Sequence, residues 1–156
     1  KKMIEIPETN CRKIVNKSIF KKDSSMVCAD TIIYSNKDEC IVEFTYPEDH
    51  PLVKGHFPGN PIMMGVMQWM SITDTCGLFL RDTQQFGKFN VKVQGVICNQ
   101  YSTIVSEFKD VICEANISRD ESASFCDVLE TKKVTFRGQV KPKDKLLIYV
   151  FKIEKI

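Results

Sequence analysis

The feature that most constrains the fold is a long apolar stretch from residue 62 to about residue 83. It contains no proline, and its apolar side chains occupy nearly every face of a helix: Ile62, Met63, Val66, Met67, Trp69, Met70, Ile72, Cys76, Phe79 and Leu80. A helix that is apolar on most sides must be wrapped by other structure. A membrane-spanning helix needs about 20 mostly apolar residues, whereas polar residues interrupt this stretch at Gln68, Ser71, Thr73, Asp74 and Thr75. The stretch therefore predicts a buried central helix and no membrane span.

Six further stretches are rich in β-branched and aromatic residues and predict strands at 25–34, 39–46, 89–99, 103–116, 129–140 and 146–153. The first two are separated by the run SNKD at 35–38, which has turn chemistry, so they predict a hairpin. Six strands and one long helix predict an α+β fold in which an antiparallel sheet surrounds the helix.

The size and composition fit one globular domain that spans residues 1–156. With 43% hydrophobic and 27% charged residues, the chain is neither disordered nor of low complexity. Its 22 basic and 20 acidic side chains give a formal net charge of +2, far below the basic excess of a dedicated nucleic-acid binder. We therefore expect no nucleic-acid partner.

The seven cysteines are odd in number, scattered, and never spaced as a CxxC pair. This pattern disfavours a disulfide framework and a zinc site, and it favours free thiols in a reducing compartment. Four cysteines lie in or beside apolar runs and are expected to pack as small core residues: Cys40, Cys98, Cys113 and Cys126. No secretory signal is visible. We expect the cytoplasm, or the interior of a plastid or mitochondrion if an upstream targeting segment was removed.

The candidate catalytic motif is the string GHFPGNP at residues 55–61, directly before the predicted helix. It ends a loop over residues 46–61, in which prolines restrict φ and glycines permit unusual backbone angles. His56 titrates near neutral pH and is a candidate base for a proton on the carbon beside a carbonyl group. Gly65 lets a ligand approach the N–H groups of the first helical turn, which suit a carbonyl oxygen that gains charge. The alternative is a loop histidine that packs beneath the prolines.

The run GHFPGNPIMMGV at residues 55–66 resembles the signature of the β-hydroxyacyl-acyl-carrier-protein dehydratases, enzymes with the hot-dog fold. The wider resemblance covers residues 41–80 well. It implies that His56 is the catalytic base and that the Gly65 N–H binds the oxygen of an acyl thioester. It also implies a substrate site lined by Phe57, Pro58, Gly59, Met64, Val66 and Met70. It further implies a homodimer with the pocket at its interface, or a trimer of dimers, and neither a metal nor a redox cofactor.

The sequence departs from this family pattern on the helix. The family has an acidic residue fourteen positions after the histidine, which helps to expel the β-hydroxyl group, and Met70 stands there. Asp74 is the nearest carboxylate on the helix, one turn later on about the same face. One turn displaces a group by about 5.4–6 Å, so Asp74 can replace the acid only in a rearranged pocket. The alternative is a structural aspartate, satisfied by nearby hydroxyl groups or by the backbone of a partner subunit.

A second departure concerns the order of segments along the chain. Residues 132–146 resemble the segment that ordinarily follows the central helix in this family, and residues 95–98 and 110–115 resemble its closing hairpin. On this interpretation, the last two hairpins have exchanged order. The alternative is chance similarity among ordinary strands.

Three functions remain open at this point. The first is a (3R)-hydroxyacyl-acyl-carrier-protein dehydratase of fatty acid biosynthesis, in which Asp74 or water replaces the missing acid. The second is an impaired relative that binds acyl thioesters or an active partner subunit, because the loss of a general acid typically costs about 10²–10⁴-fold in rate. The third is a hot-dog thioesterase, in which a carboxylate such as Asp74 activates water.

A basic cluster near the C-terminus bears on the partner. It consists of Lys132, Lys133, Arg137, Lys141, Lys143 and Lys145. Such a cluster is either an ordinary solvated face or, if the protein handles carrier-bound acyl chains, a surface that attracts an acidic acyl carrier protein.

Overall fold

The computed structural model describes residues 12–47, 65–119 and 125–156. Over these residues the chain forms one α-helix, α1 (Gly65–Asp82), and two short 3-10 turns at Lys17–Ile19 and Ser24–Met26. It also forms eight strands: β1 (Lys13–Ile14), β2 (Thr31–Ser35), β3 (Cys40–Thr45), β4 (Gly87–Cys98), β5 (Ile104–Ile117), β6 (Phe125–Glu130), β7 (Lys133–Phe136) and β8 (Lys145–Lys155).

The strands form one antiparallel sheet in the order β1-β2-β3-β8-β4-β5-β6, and β7 also pairs with β5. The last strand of the chain, β8, lies in the middle of the sheet between β3 and β4. The long strands β4 and β5 form the hairpin that follows the helix. A mostly antiparallel sheet with one helix is α+β, as predicted, and is consistent with a hot-dog fold.

Helix α1 lies in the core of the molecule. All ten residues from Ser71 to Leu80 are buried, and Ile72 and Phe79 belong to the main hydrophobic cluster. This agrees with the prediction of a helix wrapped by other structure. The helix ends at Asp82, close to the predicted end, while the predicted start at residue 62 lies outside the described residues. No helix in the described part of the chain has the length and hydrophobicity that crossing a membrane requires.

The long strands are irregular at the level of Gln94. Both pairings of β4 shift register beside this residue, and Asp110 of β5 and Lys152 of β8 have positive φ angles of 49° and 51°. The Gln94 side chain supports the first irregularity, because its Nε2 donates to Asp110 Oδ1 at 2.8 Å and its Oε1 accepts from Asp110 N at 3.3 Å. Bulges of this kind bend strands and increase their twist. They let the long strands curve over the helix.

The prediction of six strands was wrong, since the described residues form eight. The predicted strand 129–140 is two strands, β6 and β7, which pair with opposite ends of β5. The break falls beside the Asp110 irregularity, where Thr131 Oγ1 and Lys132 N both donate to the Lys109 carbonyl oxygen at 3.0 and 3.2 Å. The predicted strand 25–34 also starts late. Its first residues form a 3-10 turn that Asp23 caps through the Ser25 N–H, and β1 adds a short edge strand.

Helix and sheet come into close contact at Gly95. A Cβ atom added there would lie 2.5 Å from Cδ1 of Ile72, which is fully buried and cannot move into solvent. We therefore predict that Gly95→Ala lowers the free energy of unfolding by about 1–3 kcal/mol through overpacking. Urea denaturation followed by circular dichroism measures this change.

The matched control is Gly77→Ala on the buried helix. A Cβ atom there would meet only ordinary contacts, at 3.7 Å from Cys126 Cβ and 3.8 Å from the Phe20 ring. Because alanine is favoured over glycine inside a helix by up to about 1 kcal/mol, this variant should be neutral or slightly more stable. Equal losses in both variants would contradict the close approach at Gly95.

Candidate functional site

The structure describes four of the nine predicted site residues. These are Gly65, Val66, Met70 and Asp74, all on helix α1. The other five lie outside the described residues: His56, Phe57, Pro58, Gly59 and Met64. The four described residues occupy different environments along the helix. Val66 is 48% exposed, Gly65 and Met70 are partly buried, and Asp74 is buried.

Gly65 is the first described residue of α1, and an aromatic ring lies against it. The Cζ atom of Phe136 on β7 is 3.2 Å from the position that a Cβ atom of residue 65 would take. Phe136 packs edge-on against Phe108 of β5, with ring centroids 6.0 Å apart. Phe108 in turn packs edge-on against Trp69, one helical turn after Gly65, with centroids 4.6 Å apart. These three rings form an aromatic column, Trp69–Phe108–Phe136, beside the first described turn of the helix.

The sequence places these rings together through two regular spacings. Gly65 and Trp69 are four residues apart and share one face of the helix. In the β5–β7 pairing, Phe108 lies opposite Val134, two residues before Phe136, so the two phenylalanines are diagonal neighbours on one face of the sheet. The arrangement therefore places an apolar aromatic wall beside Gly65 and the first described turn of α1.

Met70 contributes no titratable group to this region. It is partly buried, and its side chain packs against the main hydrophobic cluster. The position at which the resembling dehydratases carry an acid is therefore occupied by an apolar side chain that contacts the core.

Asp74 is bound by groups of its own chain. Lys22 Nζ donates to both carboxylate oxygens, at 2.8 Å to Oδ1 and 3.0 Å to Oδ2, and the Cys28 N–H donates to Oδ2 at 2.8 Å. Only 3% of the residue is exposed. Burial raises the pKa of the Asp74 carboxyl, while the Lys22 ammonium and the Cys28 N–H act in the opposite direction by stabilising the charged form. The carboxylate thus holds residues 22–28 against the helix.

These partners differ from those expected for a structural aspartate. Hydroxyl groups or a partner subunit were expected, whereas the donors are a lysine and a backbone N–H of the same chain. A buried carboxylate requires such donors, but the sequence does not show which of 22 basic residues supplies one. Lys22 lies 52 positions before Asp74, so no local pattern joins them.

Six of the seven cysteines lie in the described residues. Six cysteines are buried and free of disulfide bonds: Cys28, Cys40, Cys76, Cys98, Cys113 and Cys126. The expectation that Cys40, Cys98, Cys113 and Cys126 pack as core residues is confirmed.

Three of these thiols converge from three elements. The Sγ atoms of Cys76 on α1, Cys113 on β5 and Cys126 on β6 lie within 4.8 Å of one another. Hydrogen bonds from Cys126 and Cys76 lower the pKa of the Cys113 thiol. Three thiolates at this separation could hold a soft metal ion, yet no fourth His, Cys, Asp or Glu joins the group among the described residues. Sequence spacing gave no sign of the cluster, because no two of its members form a CxxC pair.

The Lys22–Asp74 ion pair predicts a pH-dependent loss of stability. In Lys22→Met, Asp74 stays buried without its cation, so its pKa in the folded state rises further above the unfolded value of about 3.9. A raised folded pKa favours folding at low pH, and this advantage is lost as pH rises through the folded pKa. We predict a loss of about 2 kcal/mol at pH 7–8 and a smaller loss near pH 4, measured by urea denaturation of both proteins at each pH.

Lys17→Met is the matched control. Lys17 Nζ also pairs with an aspartate, Asp30, at 2.7 Å, but 35% of the Asp30 side chain is exposed against 4% for Asp74. Water screens such a pair, so we expect a loss below about 1 kcal/mol. If the two variants lose the same stability, Asp74 does not depend on its buried ion pair.

A comparison with known protein families gives a match to the middle of the chain. The family model of ApeI-like proteins, described as ApeI dehydratase, matches residues 33–125, which is more than half of the chain. The matched region runs from β2 through α1 to the start of β6, and it includes the string at 55–61 and Gly65. It does not include residues 132–146. No curated protein gives a significant match to the chain.

Proposed function

Because the chain belongs to the ApeI-like dehydratase family, we propose that it removes water from 3-hydroxyacyl thioesters. The observation that carries this proposal is the position of Gly65. It lies on a buried helix, it follows His56 by nine positions within the matched region, and an apolar wall stands beside it. In the proposed site, Gly65 belongs to the first turn of the helix, where a backbone N–H can stabilise the negative charge that develops on a thioester oxygen.

The proposed reaction uses His56 as the base. His56 takes the proton from the carbon next to the thioester, and the Gly65 N–H holds the oxygen on which charge accumulates. The bond between the β-carbon and its hydroxyl oxygen then breaks, and a double bond forms between the α- and β-carbons. The leaving hydroxide needs one proton, which equals the proton taken by His56. A water molecule carries this proton from His56 to the leaving hydroxide, so the reaction balances without a second acid.

We assign the missing acid's task to water in preference to Asp74. Both oxygens of Asp74 already accept hydrogen bonds, and protonation of this carboxylate would weaken its ion pair with Lys22. The loss of a general acid typically lowers a rate by about 10²–10⁴-fold. The proposed enzyme is therefore slow compared with a relative that has an acid at position 70.

A second candidate is an impaired family member that binds acyl thioesters, or an active partner subunit, without dehydration. Two observations favour this candidate. Met70 packs against the core and has no proton to donate, and Asp74 is paired with Lys22 of its own chain, so neither residue acts as an acid on the helix. The two candidates share the binding site and differ only in turnover.

The carrier of the acyl group is the next part of the proposal. The six cations near the C-terminus are all exposed: Lys132, Lys133, Arg137, Lys141, Lys143 and Lys145. Arg137 Nε lies 2.8 Å from Glu107 Oε2, and Lys145 Nζ lies 3.8 Å from Glu43 Oε1. Strand β7 brings part of this cluster next to Phe136, and so next to Gly65. An acidic acyl carrier protein of fatty acid biosynthesis fits this location.

The proposed assembly is a homodimer with the pocket at its interface. Its support is the apolar surface that Val66 and Phe136 leave exposed beside Gly65, at 48% and 50%. The free, buried thiols support a reducing compartment, either the cytoplasm or an organelle interior.

Hydration of a trans-2-enoyl thioester, the reverse reaction, tests the function. Loss of enoyl absorbance is followed for the wild type, His56→Ala, Met70→Glu and Asp74→Asn, with thiol release measured in parallel. We expect slow wild-type turnover, loss of at least about 100-fold in His56→Ala, and a gain in Met70→Glu because the carboxyl restores an acid. Asp74→Asn keeps an oxygen acceptor and should lower stability more than turnover.

Other outcomes separate the candidates. No wild-type turnover with a gain in Met70→Glu supports the impaired binder. Thiol release without enoyl hydration contradicts the dehydratase and supports a thioesterase. A fall in Asp74→Asn as large as in His56→Ala, with the folded state retained by circular dichroism, would show that Asp74 itself is the acid.

A further inference from the structure

The Phe136 ring packs against the aromatic column. It meets Phe108 edge-to-face, with an interplanar angle of 87°, and Phe108 is 1% exposed and packs edge-to-face against Trp69. The core thus fixes the orientation of the ring. Half of Phe136 nevertheless stays exposed. A ring that is anchored in the core and half-exposed is suited to form the wall of a binding site.

The ring stands where a side chain of residue 65 would be. The Cζ, Cε1 and Cε2 atoms of Phe136 are 3.2, 3.6 and 3.7 Å from the ideal Cβ position of Gly65. A carbonyl oxygen bound to the Gly65 N–H lies about 2.9 Å from the nitrogen. The carbonyl carbon and the carbon next to it then lie within one or two bond lengths of that oxygen. Phe136 is therefore beside the first carbons of the acyl group and away from its far end.

We propose that Phe136 is a specificity-determining residue that excludes acyl groups branched at the carbon next to the thioester. The inference rests on the proposed function, since it takes the Gly65 N–H as the binding site of the thioester oxygen. In a straight chain this carbon bears two hydrogen atoms and no branch. A methyl branch there meets a ring that the aromatic column prevents from moving inward, and one methyl group in a fixed apolar pocket changes binding by about 10–200-fold.

Binding of two unreactive thioesters tests the inference without turnover. Butanoyl-pantetheine and 2-methylbutanoyl-pantetheine have no β-hydroxyl group, so neither can lose water. Their dissociation constants are measured by isothermal titration calorimetry, with the fluorescence of Trp69, the single tryptophan of the chain, as a second readout. We expect the wild type to bind the straight thioester at least about 10-fold more tightly. Phe136→Ala should reduce this ratio below about 3-fold, and Phe136→Leu should give an intermediate ratio.

Leu129→Ala is the matched control. Leu129 is also a large apolar residue, 54% exposed, and lies on β6 of the same sheet. Its removal should leave the ratio of the two dissociation constants unchanged. If Phe136→Ala does not fold by circular dichroism, Phe136→Leu decides the question, because it retains most of the apolar contact with Phe108.

An equal ratio in the wild type and a folded Phe136 variant overturns the inference, and so does a wild type that binds neither thioester. Failure of the proposed function gives a different result. A wild type that shows the expected binding ratio but hydrates no enoyl thioester contradicts the dehydratase and supports the role of Phe136 in binding.

Discussion

The fold depends on the burial of ten consecutive residues of helix α1, from Ser71 to Leu80. A helix with no solvent-facing side over nearly three turns needs cover on every side, and a flat sheet supplies only one. The bulges near Gln94 bend the long strands around the helix, and Gly95 lets β4 come close to Ile72. Residues 22–28 cover a further side of the helix. The ion pair of Lys22 with Asp74 attaches them to the helix, because a carboxylate in this environment cannot stay unpaired.

The same burial determines where chemistry can take place. With residues 71–80 enclosed, the described helix keeps exposed surface towards its two ends, at Asp82 and at Gly65 and Val66. The end at Gly65 is the one that follows the string with His56 in sequence. It also explains why Asp74 is a poor substitute for the missing acid, since it lies in the enclosed part and is bound on both oxygens. The proposed chemistry thus needs only a base, an N–H group and an apolar wall.

Much of the architecture was predictable because it follows from periodicity and composition. The helix, the α+β class and the hairpins follow from local patterns of apolar and turn residues. The division of 129–140 into β6 and β7 was not predictable in the same way, because it depends on the irregularity at Asp110 in a different strand. Lys22, the cluster of Cys76, Cys113 and Cys126, and the contact of Phe136 with Gly65 join residues that are far apart in sequence. Only the three-dimensional fold brings them together.

The central claim is that His56 removes a proton from the carbon next to a thioester whose oxygen is held by the Gly65 N–H. This step needs no acid at position 70, so it can be measured even if dehydration is slow. The direct measurement is the incorporation of deuterium at the α-carbon of a 3-hydroxybutanoyl thioester in D2O, followed by mass spectrometry for the wild type and His56→Ala. The account predicts incorporation by the wild type that is lost in the variant. Incorporation no faster than in buffer alone, with the wild-type protein folded, would contradict it.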